Sequence, residues 1–336
     1  MQNKFEQYLD ENSKKLNKYL DTFFNINVHP EMKRYLYTPL REFSGNAGKR
    51  HRPLICLLAC QAVGGDAQMA LSAAASIEHF HTAALIHDDI ADDSRIRRGK
   101  PCMYIAEGPG IAINAGDLAL ALVNGTVLDD KKLDDHLKVR VLAELIDMTA
   151  RTVEGQALDL GWARDKRFDL SIDDYLVMAR LKTGFYSGGM PLAIGAIIGG
   201  ADDKTVEILR QYGLDTGLAF QIQDDLLNLV GTEESTKKDF RSDITEGKRT
   251  LIAVHAMNHS KDAQELIDIL SENTKDEEKL GRAVEIMQEA GSIEFAHNFA
   301  LDLVEKAKKS IADIDITPKG RELLLSMADF FIQRIV

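Results

Sequence analysis

The sequence predicts an all-α protein, built as a single large helical bundle around a central cavity. Apolar residues recur at helical spacing along almost all of the 336 residues, and no sustained alternation indicates strands. Two predicted helices, 67–87 and 204–230, are apolar on nearly every side, which is typical of the central helices of a bundle. No Pro/Ser-rich linker divides the chain. We therefore expect one domain spanning residues 1–336.

The helical pattern begins at the N-terminus. Within residues 1–24 an apolar stripe is formed by Phe5, Leu9, Leu16, Leu20 and Phe23. Such a stripe suits a membrane surface or the body of the protein, and its acidic opposite face favours packing on the protein. Further helices are expected at 31–41, 53–63, 67–87, 111–128, 134–159, 172–182, 186–198, 204–230, 250–257, 263–271, 277–290, 293–311 and 319–336.

Composition and charge limit the possible partners. Hydrophobic residues make up 45% and charged residues 28% of the chain, as in ordinary soluble globular proteins. The net charge of −12 argues against nucleic acid as a partner, because a phosphate backbone requires a basic surface. Few cysteines, a polar N-terminus and an apolar stretch at 189–200 that is too short to span a bilayer predict a cytoplasmic protein without an integral membrane segment.

Two aspartate clusters stand at the ends of apolar helical stretches. The first reads Asp-Asp-Ile-Ala-Asp from Asp88 to Asp92, and the second reads Asp-Asp-Leu-Leu-Asn from Asp224 to Asn228. Positions i and i+4 share a helix face, so the first and last residues of each motif point the same way. Two such faces turned toward each other provide the oxygen ligands that Mg²⁺ prefers.

Aspartate pairs also arise by chance in a chain with 53 acidic residues. The pairs at 129–130, 134–135, 173–174 and 202–203 have no acid or amide four residues after their first aspartate. We interpret these four pairs as solvated loops or helix N-termini, where carboxylates interact favourably with the helix dipole.

Basic segments accompany the two clusters. Residues 48–53 read Gly-Lys-Arg-His-Arg-Pro directly before an apolar helix, which suits anion binding or, alternatively, a solvated loop. Further cations are Arg95, Arg97, Arg98, Lys100, Lys182, Lys237, Lys238, Lys248 and Arg249. Alternating acidic and basic segments suit a diphosphate held by metals and lysines together. The sequence has neither a Walker A loop nor a GxGxxG motif, so no motif indicates nucleotide binding.

A series of short motifs runs in order from Gly48 to Thr250. They are GKRHRP at 48–53, IEHFHT at 77–82, the first aspartate motif, RRGKP at 97–101, GD at 116–117, GQALD at 155–159, KT at 182–183, FQ at 220–221, the second aspartate motif, and DITEGKRT at 243–250. In number and order these motifs resemble those of the trans-isoprenyl diphosphate synthases of the polyprenyl synthetase family. That family binds an allylic diphosphate through Mg²⁺ and extends it with isopentenyl diphosphate.

The resemblance implies a role for each matching residue. Direct Mg²⁺ ligands, with three ions expected, would be Asp88, Asp92 and Asp224. Residues acting on the metals through water or a neighbouring ligand would be Asp89, Asp225 and Asn228. The allylic diphosphate would be held by Arg97, Lys182, Lys238 and Lys248. Isopentenyl diphosphate would be held by Lys49, Arg52, His81 and Arg98.

The resemblance also implies how an allylic cation is stabilised. Lys182 and Thr183 precede Gly184, where a helix can kink and turn a carbonyl dipole toward the cation, and Gln221 would assist. Two positions leave alternatives open. His81 could instead be a buried structural histidine. Asn228 stands where many relatives have an aspartate, which would weaken direct coordination there.

Two other functions share part of this pattern. A class I terpene cyclase has the carboxylate cage but needs no second diphosphate pocket, and the full set of four residues for isopentenyl diphosphate argues against it. A non-catalytic partner subunit would be expected to lose carboxylates or lysines, and this chain keeps them. The resemblance further implies a homodimer.

Product length is expected to depend on the helix that leads into the first aspartate motif. One helical turn rises ~5.4 Å, close to one extended isoprene unit, so residues one or more turns before Asp88 would form successive floors of a shaft. Ala83 and Ala84 leave the first turn open, Phe80 lies about two turns down, and Ile77 about three. With Phe80 as the floor we expect products of about 20 to 25 carbons. If Phe80 instead points into the bundle core, longer chains are expected.

Overall fold

The computed structural model describes residues 3–46, 48–231 and 241–332, and it is all-α as predicted. By its internal contacts the chain divides into two compact units. Unit 1 comprises Met1–Thr149, Tyr186–Gln211 and Asp313–Met327, and unit 2 comprises Ala150–Phe185, Tyr212–Ala312 and Ala328–Val336. The single domain and its central cavity stay predictions.

The helices follow the expected order along the chain. They are α1 (Lys4–Asp21), α2 (Pro30–Met32), α3 (Thr38–Gly45), α4 (His51–Ala62), α5 (Leu71–Ala91), α6 (Met103–Ala106), α7 (Pro109–Leu128), α8 (Asp135–Arg164), α9 (Ile172–Ala179), α10 (Met190–Ile198), α11 (Asp203–Val230), α12 (Ser242–Thr245), α13 (Leu251–His259), α14 (Ala263–Ser271), α15 (Glu277–Glu289), α16 (Ser292–Ser310) and α17 (Pro318–Ile332). Helix α5 begins four residues later than predicted and continues through the first aspartate pair, so its last turn carries Asp88 and Asp89.

Unit 1 is organised around α5, which packs against α7, α4 and α1. The contact with α7 is made by small side chains, since Ala83 lies in one buried cluster with Ala112, Ala115 and Ala119. Small residues also bring α10 onto α4, where a Cβ added at Gly195 would lie 2.1 Å from the carbonyl oxygen of Cys56. Helix α1 buries its apolar stripe on this unit, as the acidity of its opposite face predicted.

Helix α7 is long and apolar enough to cross a membrane by length and composition alone. It is the one such helix within the described residues, and the core helix of a soluble protein passes the same test. Its buried face, which includes Ala112, Ala115 and Gly116, packs on α5. The absence of an integral membrane segment therefore stays a prediction.

A short hairpin follows the first aspartate motif, and the sequence reasoning missed it. Strand β1 (Ile96–Arg97) pairs antiparallel with β2 (Lys100–Pro101). The two turn residues, Arg98 and Gly99, have φ of +54° and +77°. A two-residue turn with positive φ at both positions matches the right-handed twist of the flanking strands. Gly99 was the available signal, but strands this short carry no alternation that could be recognised.

Two segments are π-helical where ordinary α-helix was expected. Lys33–Tyr37 interrupts the predicted helix at 31–41, and Arg180–Gly189 follows α9 directly. The predicted kink at Gly184 therefore takes the form of a wider helical turn across the whole segment. π-Helical insertions occur frequently at functional sites, and this one carries Lys182 and Thr183.

Unit 2 contains a layer of four helices, in which α13 contacts α14, α15 and α16. Helix α13 starts directly after the basic motif that ends at Thr250. The Thr250 hydroxyl accepts a hydrogen bond from the N–H of Ala253 at 3.2 Å and so caps the helix. Helix α9 packs on α13 as well. This layer supports the side chains that follow the second aspartate motif.

Candidate active site

The first aspartate motif separates its carboxylates by burial. Asp88 and Asp92 are partly exposed, whereas Asp89 is only 1% exposed. The N–H of Asp92 donates to the carbonyl of Asp88 at 2.9 Å, so the two residues stay on one helical face, as predicted. They stand at the C-terminal end of α5, where the helix dipole favours a bound cation.

Asp89 is turned inward and is held by Arg97 of β1. Arg97 Nε donates to Asp89 Oδ1 at 2.7 Å, and a second guanidinium nitrogen donates to the same oxygen. Burial opposes the charge of Arg97, but the bonds to Asp89 outweigh it and raise the pKa of Arg97. The other oxygen, Asp89 Oδ2, is buried and has no hydrogen-bond partner among the described residues. Arg97 was predicted to hold a diphosphate, and in the structure it also fixes the orientation of the Asp89 carboxylate.

His87 packs on the backbone of Gly116, a contact that the sequence analysis did not anticipate. A Cβ added at Gly116 would lie 2.3 Å from His87 Nε2, so any larger residue here requires the His87 ring to move. The same nitrogen lies 3.6 Å from Asp117 Oδ1, which is too long for a hydrogen bond. Gly116 on α7 therefore makes room for the observed position of His87, the residue directly before Asp88.

Three of the four residues predicted for isopentenyl diphosphate form one cluster in unit 1. Arg52 NH1 lies 3.5 Å from His81 Nε2. Burial, followed by the positive charges of Arg52 and Arg98, holds the pKa of His81 well below its usual value, so His81 is neutral near pH 7. Burial also lowers the pKa of Arg98. His81 Nδ1 is buried without a hydrogen-bond partner in the described residues.

The fourth residue, Lys49, is directed toward the N-terminal helix. Its Nζ forms a 2.6 Å ion pair with Glu6 of α1, and nearly half of its side chain is exposed. Gly48, directly before it, lies against Arg98, because an added Cβ would be 3.8 Å from Arg98 NH2. The GKRHRP motif therefore contacts both α1 and the hairpin.

Arg50 anchors this motif, a role that its basic neighbours hid from the sequence analysis. It forms an ion pair with Glu78 in which both side chains are 4% exposed. It also donates to Asn17 Oδ1 at 2.8 Å and to the carbonyl of Ser44 at 2.7 Å. Burial of both charges is possible because each group is paired and hydrogen-bonded. Its backbone is left-handed, with φ of +54°, which starts α4 at His51.

The second aspartate motif, in unit 2, repeats the division between a partly exposed and a buried carboxylate. Asp224 is partly exposed and Asp225 is buried. Gln221 Nε2 donates to Asp225 Oδ1 at 2.7 Å, and the Tyr175 hydroxyl donates to Oδ2 at 3.4 Å. Burial, then the charge of Asp243, raises the pKa of Asp225 well above its usual value. Tyr175 was missed by the sequence analysis and has no sequence signal.

The predicted catalytic residues are joined by this network. Thr183 Oγ1 donates to Gln221 Oε1 at 3.1 Å, and the amide nitrogen of Gln221 donates in turn to Asp225. Thr183 is buried, and Gln221 is partly buried. The orientation of the Gln221 amide is therefore determined at both ends, which keeps its oxygen on the side of Thr183.

Asn228 holds the segment that follows the motif. Its Nδ2 donates to Ser242 Oγ at 3.0 Å, and its Oδ1 accepts from the N–H of Asp243 at 3.1 Å. Lys248 Nζ lies 3.5 Å from Asp243 Oδ1 and 2.5 Å from Glu246 Oε2. Asp225, Asp243 and Lys248 line one small cavity. Lys238, also predicted for the allylic diphosphate, lies outside the described residues.

Lys182 is positioned by the Gly-Gln-Ala-Leu-Asp motif of α8. A Cβ added at Gly155 would lie 2.2 Å from the backbone nitrogen of Lys182, so the π-helical segment contacts α8 directly at this glycine. One turn later Asp159 forms an ion pair with Lys182 Nζ, in which both side chains are about a quarter exposed or less. In this motif Gly155 allows the backbone of Lys182 to approach α8, and Asp159 pairs with the Lys182 ammonium group.

No group of three or more His, Cys, Asp or Glu side chains within 3–46, 48–231 and 241–332 is arranged to hold a metal ion by itself. Mg²⁺ is usually bound by one or two carboxylates together with water and substrate phosphates. The partly exposed carboxylates Asp88, Asp92 and Asp224 fit that mode of binding, because they lie on helix faces that water and a ligand can reach.

Comparison with known proteins gives a consistent result. The polyprenyl synthetase family profile matches residues 33–287. A short chain isoprenyl diphosphate synthase from Methanothermobacter thermautotrophicus is 40% identical over 85% of this chain and 86% of its own length. A geranylfarnesyl diphosphate synthase from Natronomonas pharaonis is 38% identical over 89% of this chain and 90% of its own. The chain belongs to the polyprenyl synthetase family.

A solved structure of the same kind extends the likeness to the fold. Geranylgeranyl pyrophosphate synthase from Corynebacterium glutamicum, complexed with isoprenyl diphosphate and magnesium, superposes with a TM-score of 0.87 at 28% identity. It covers 99% of both chains. This polyprenyl synthetase chain therefore shares its all-α fold over nearly its whole length.

The residues predicted to set product length lie at different places around α5. Ala84 and Phe80 precede Asp88 by four and eight residues and share its face, whereas Ala83 is packed against α7. Phe80 is 2% exposed and makes an edge-to-face contact with Tyr186 at 5.7 Å between ring centroids. Ile77 is fully buried. Ala84, rather than Ala83, thus stands one turn below Asp88 on its own face.

The close contact at Gly155 leads to a testable expectation. Gly155→Ala forces the rigid backbone of Lys182 away from α8, and overpacking of this kind costs about 1–3 kcal/mol. We expect a lower melting temperature and a lower kcat, because Lys182 loses its position beside Asp159. Gly161→Ala on the same helix has no atom within 4 Å of the added Cβ and is expected to stabilise the protein slightly. Wild-type turnover in Gly155→Ala would contradict the expectation that the contact at Gly155 positions Lys182 for catalysis.

Proposed function

We propose that this chain is a Mg²⁺-dependent trans-prenyltransferase. It condenses isopentenyl diphosphate with an allylic prenyl diphosphate, head to tail, and releases diphosphate. The main support is the spacing of two groups along α5. On α5 the partly exposed carboxylate of Asp88 and the cationic cluster at His81 stand seven residues apart, about 10 Å along the axis. Such a separation leaves room for a metal-bound diphosphate and a second diphosphate that is held apart from it.

Asp88, Asp92 and Asp224 hold the Mg²⁺ ions, for which three are expected, with Asp89, Asp225 and Asn228 supporting them. When bound, the metal supplies charge neutralisation for the diphosphate leaving group. The supporting residues keep the ligand residues in place, since Asp89 is bonded to Arg97, and Asn228 is bonded to Ser242 and Asp243. The magnesium in the Corynebacterium glutamicum structure supports this choice of cation.

Lysines and arginines hold the two diphosphates. Lys182, Lys248, Lys238 and Arg97 act on the allylic substrate, and Arg52, Arg98, His81 and Lys49 on isopentenyl diphosphate. Lys182 and Lys248 are partly exposed and paired with carboxylates, so each can exchange a carboxylate for a phosphate. The N-terminus of α4 adds backbone N–H groups beside Lys49 and Arg52.

The reaction begins with ionisation of the allylic diphosphate. The carbon–oxygen bond of the allylic diphosphate breaks and leaves an allylic cation. The terminal double bond of isopentenyl diphosphate attacks that cation, a new carbon–carbon bond forms, and a proton passes from the adjacent carbon to the departing diphosphate. Thr183 and Gln221, oriented by their mutual hydrogen bond, present oxygen dipoles toward the cation, as does the carbonyl of Lys182 in the π-helical segment.

The cluster of Arg52, His81 and Arg98 favours this function over a terpene cyclase, which requires one diphosphate pocket. The cyclase hypothesis predicts diphosphate release from an allylic substrate alone. The transferase hypothesis predicts that release depends on isopentenyl diphosphate. Measuring diphosphate release from farnesyl diphosphate with and without isopentenyl diphosphate separates the two. Release that is independent of isopentenyl diphosphate would contradict the proposal.

Removal of one metal ligand is expected to be severe. Asp88→Ala or Asp224→Ala removes a carboxylate from the site that neutralises the leaving group, and we expect kcat to fall by orders of magnitude. The matched control is Asp173→Ala, an aspartate of a solvated pair at the start of α9 that is expected to be near neutral. Mg²⁺ titration of each variant reports whether the loss follows metal binding. An Asp224→Ala variant with most of its activity would contradict the assignment.

Product length is expected to follow α5. With Phe80 as the floor, the product has about 20 to 25 carbons. Phe80→Ala opens the next turn and is expected to lengthen the product by about one isoprene unit per ~5.4 Å turn, whereas Ala84→Tyr is expected to shorten it. Ala83→Tyr serves as the comparison, because its ring would meet α7 and lower the melting temperature instead. Chromatography of the dephosphorylated products measures the lengths, and an unchanged distribution in both variants would rule out α5 as the measuring helix.

The enzyme is proposed to act in the cytoplasm as a homodimer. Helix α8 carries exposed apolar side chains at intervals of seven residues, namely Val139, Ile146, Val153 and Leu160. Residues seven apart lie on nearly the same side of a helix, so they form one stripe of the kind that pairs helices.

Light scattering at micromolar concentration is expected to give twice the chain mass. A double substitution of Ile146 and Val153 by Glu places charges in the α8 stripe and is expected to yield monomers. Val177→Glu, at an exposed apolar position on α9, is the control and leaves the dimer intact. A monomeric wild-type protein would contradict the homodimer.

A further inference from the structure

Tyr186 contacts both the cationic cluster and the side chain proposed to limit product length. Its hydroxyl accepts a hydrogen bond from Arg52 NH2 at 3.0 Å, and the Arg52 guanidinium lies 4.5 Å from the centre of its ring. The ring meets Phe80 edge to face at 5.7 Å and lies 6.0 Å from the ring of His81. All four residues belong to unit 1.

Arg52 is oriented by several neighbours at once. In addition to the bond to Tyr186, its Nε donates to Ser187 Oγ at 3.1 Å, and its NH1 lies 3.5 Å from His81 Nε2. A guanidinium has five N–H donors, so these contacts leave two for an anion. An arginine bound in this way presents a fixed pair of donors to a diphosphate, which a freely rotating side chain does not.

Phe80 is oriented by the same ring. It is buried, and an edge-to-face contact restricts its side chain more than an aliphatic neighbour would. Phe80 and His81 are consecutive on α5, so their side chains leave the helix in different directions, and Tyr186 reaches both. One side chain therefore supports the anion pocket with its hydroxyl and the apolar floor with its ring.

We propose that Tyr186 is a positioning residue that couples isopentenyl diphosphate binding to product length. Its hydroxyl orients Arg52 for the diphosphate, and its ring braces Phe80 as the floor of the product shaft. This inference rests on the proposed function.

Two substitutions separate the two roles. Tyr186→Phe removes the hydroxyl and keeps the ring, so the KM for isopentenyl diphosphate is expected to rise about tenfold, the effect of losing one hydrogen bond to a charged group. The KM for farnesyl diphosphate, kcat and the product distribution stay as in the wild type. Tyr186→Leu removes the ring as well, and the products are expected to lengthen in addition.

The control is Tyr35→Phe, the same chemical change at an exposed tyrosine that also carries a guanidinium, that of Arg34, 5.1 Å from its ring centre. It is expected to change neither the KM nor the products. Thermal unfolding of each variant shows whether it is folded. If Tyr186→Leu is unfolded, Tyr186→Met, with a side chain of larger reach, replaces it in the product assay.

The outcomes are distinguishable. A wild-type protein that releases no diphosphate from isopentenyl and farnesyl diphosphates overturns the proposed function, and with it this assignment. An active wild type whose KM for isopentenyl diphosphate is unchanged in Tyr186→Phe overturns the role of the hydroxyl. Identical product distributions in the wild type and the folded ring-deletion variant overturn the role of the ring.

Discussion

Pairing of carboxylates with cations is the interaction on which the site depends. A pocket for two diphosphates must hold many cations, and a metal site must hold several carboxylates. Both are costly to bury unpaired. In this chain several of the cations have carboxylate partners, as in Arg97 with Asp89, Lys182 with Asp159, and Lys248 with Asp243 and Glu246. Arg52 is bonded to neutral groups instead. Under the proposed function, a substrate phosphate replaces the carboxylate partner of Lys182 or Lys248, so it enters a part of the site whose lysines are already paired.

Two ion pairs beside the site have a carboxylate that is almost fully buried. The Glu78 side chain, paired with Arg50, is 4% exposed, and the Asp89 side chain, paired with Arg97, is 1% exposed. They fix the basic loop before α4 and the end of α5. The pairs of Lys182 and Lys248 are more exposed. Water reaches both of these pairs, which weakens them relative to a fully buried pair. We therefore expect Lys182 and Lys248, rather than the buried Arg50, to exchange their carboxylate partners when a diphosphate binds.

The helices and the aspartate faces could be predicted from the sequence, because both depend on spacing along one element. The periodicity placed most helices to within a few residues, and the i, i+4 rule placed Asp88 and Asp92 on one face of α5. What the sequence did not reveal depends on contacts between elements. Glycines at 116 and 155 are ordinary in the sequence, and their role appears only when His87 and the backbone of Lys182 are seen against them. The two-residue strands and the π-helical turns are likewise too short, or too close to α-helix, to carry a period of their own.

The packing of Tyr186 adds a constraint on how such a site can change. Phe80 and His81 are adjacent in the sequence, so their side chains leave α5 in different directions. The proposal assigns the first to the apolar floor and the second to the diphosphate. If each had its own neighbours, the floor could be altered without effect on the cationic cluster. Because both contact the ring of Tyr186, and Arg52 stacks on the same ring, a change of side-chain size at position 80 alters the surface on which Arg52 rests. If Phe80 and Arg52 have the proposed roles, packing links product length to affinity for the second diphosphate, and a substitution at position 80 that lengthens the product also requires Arg52 to find a new orientation.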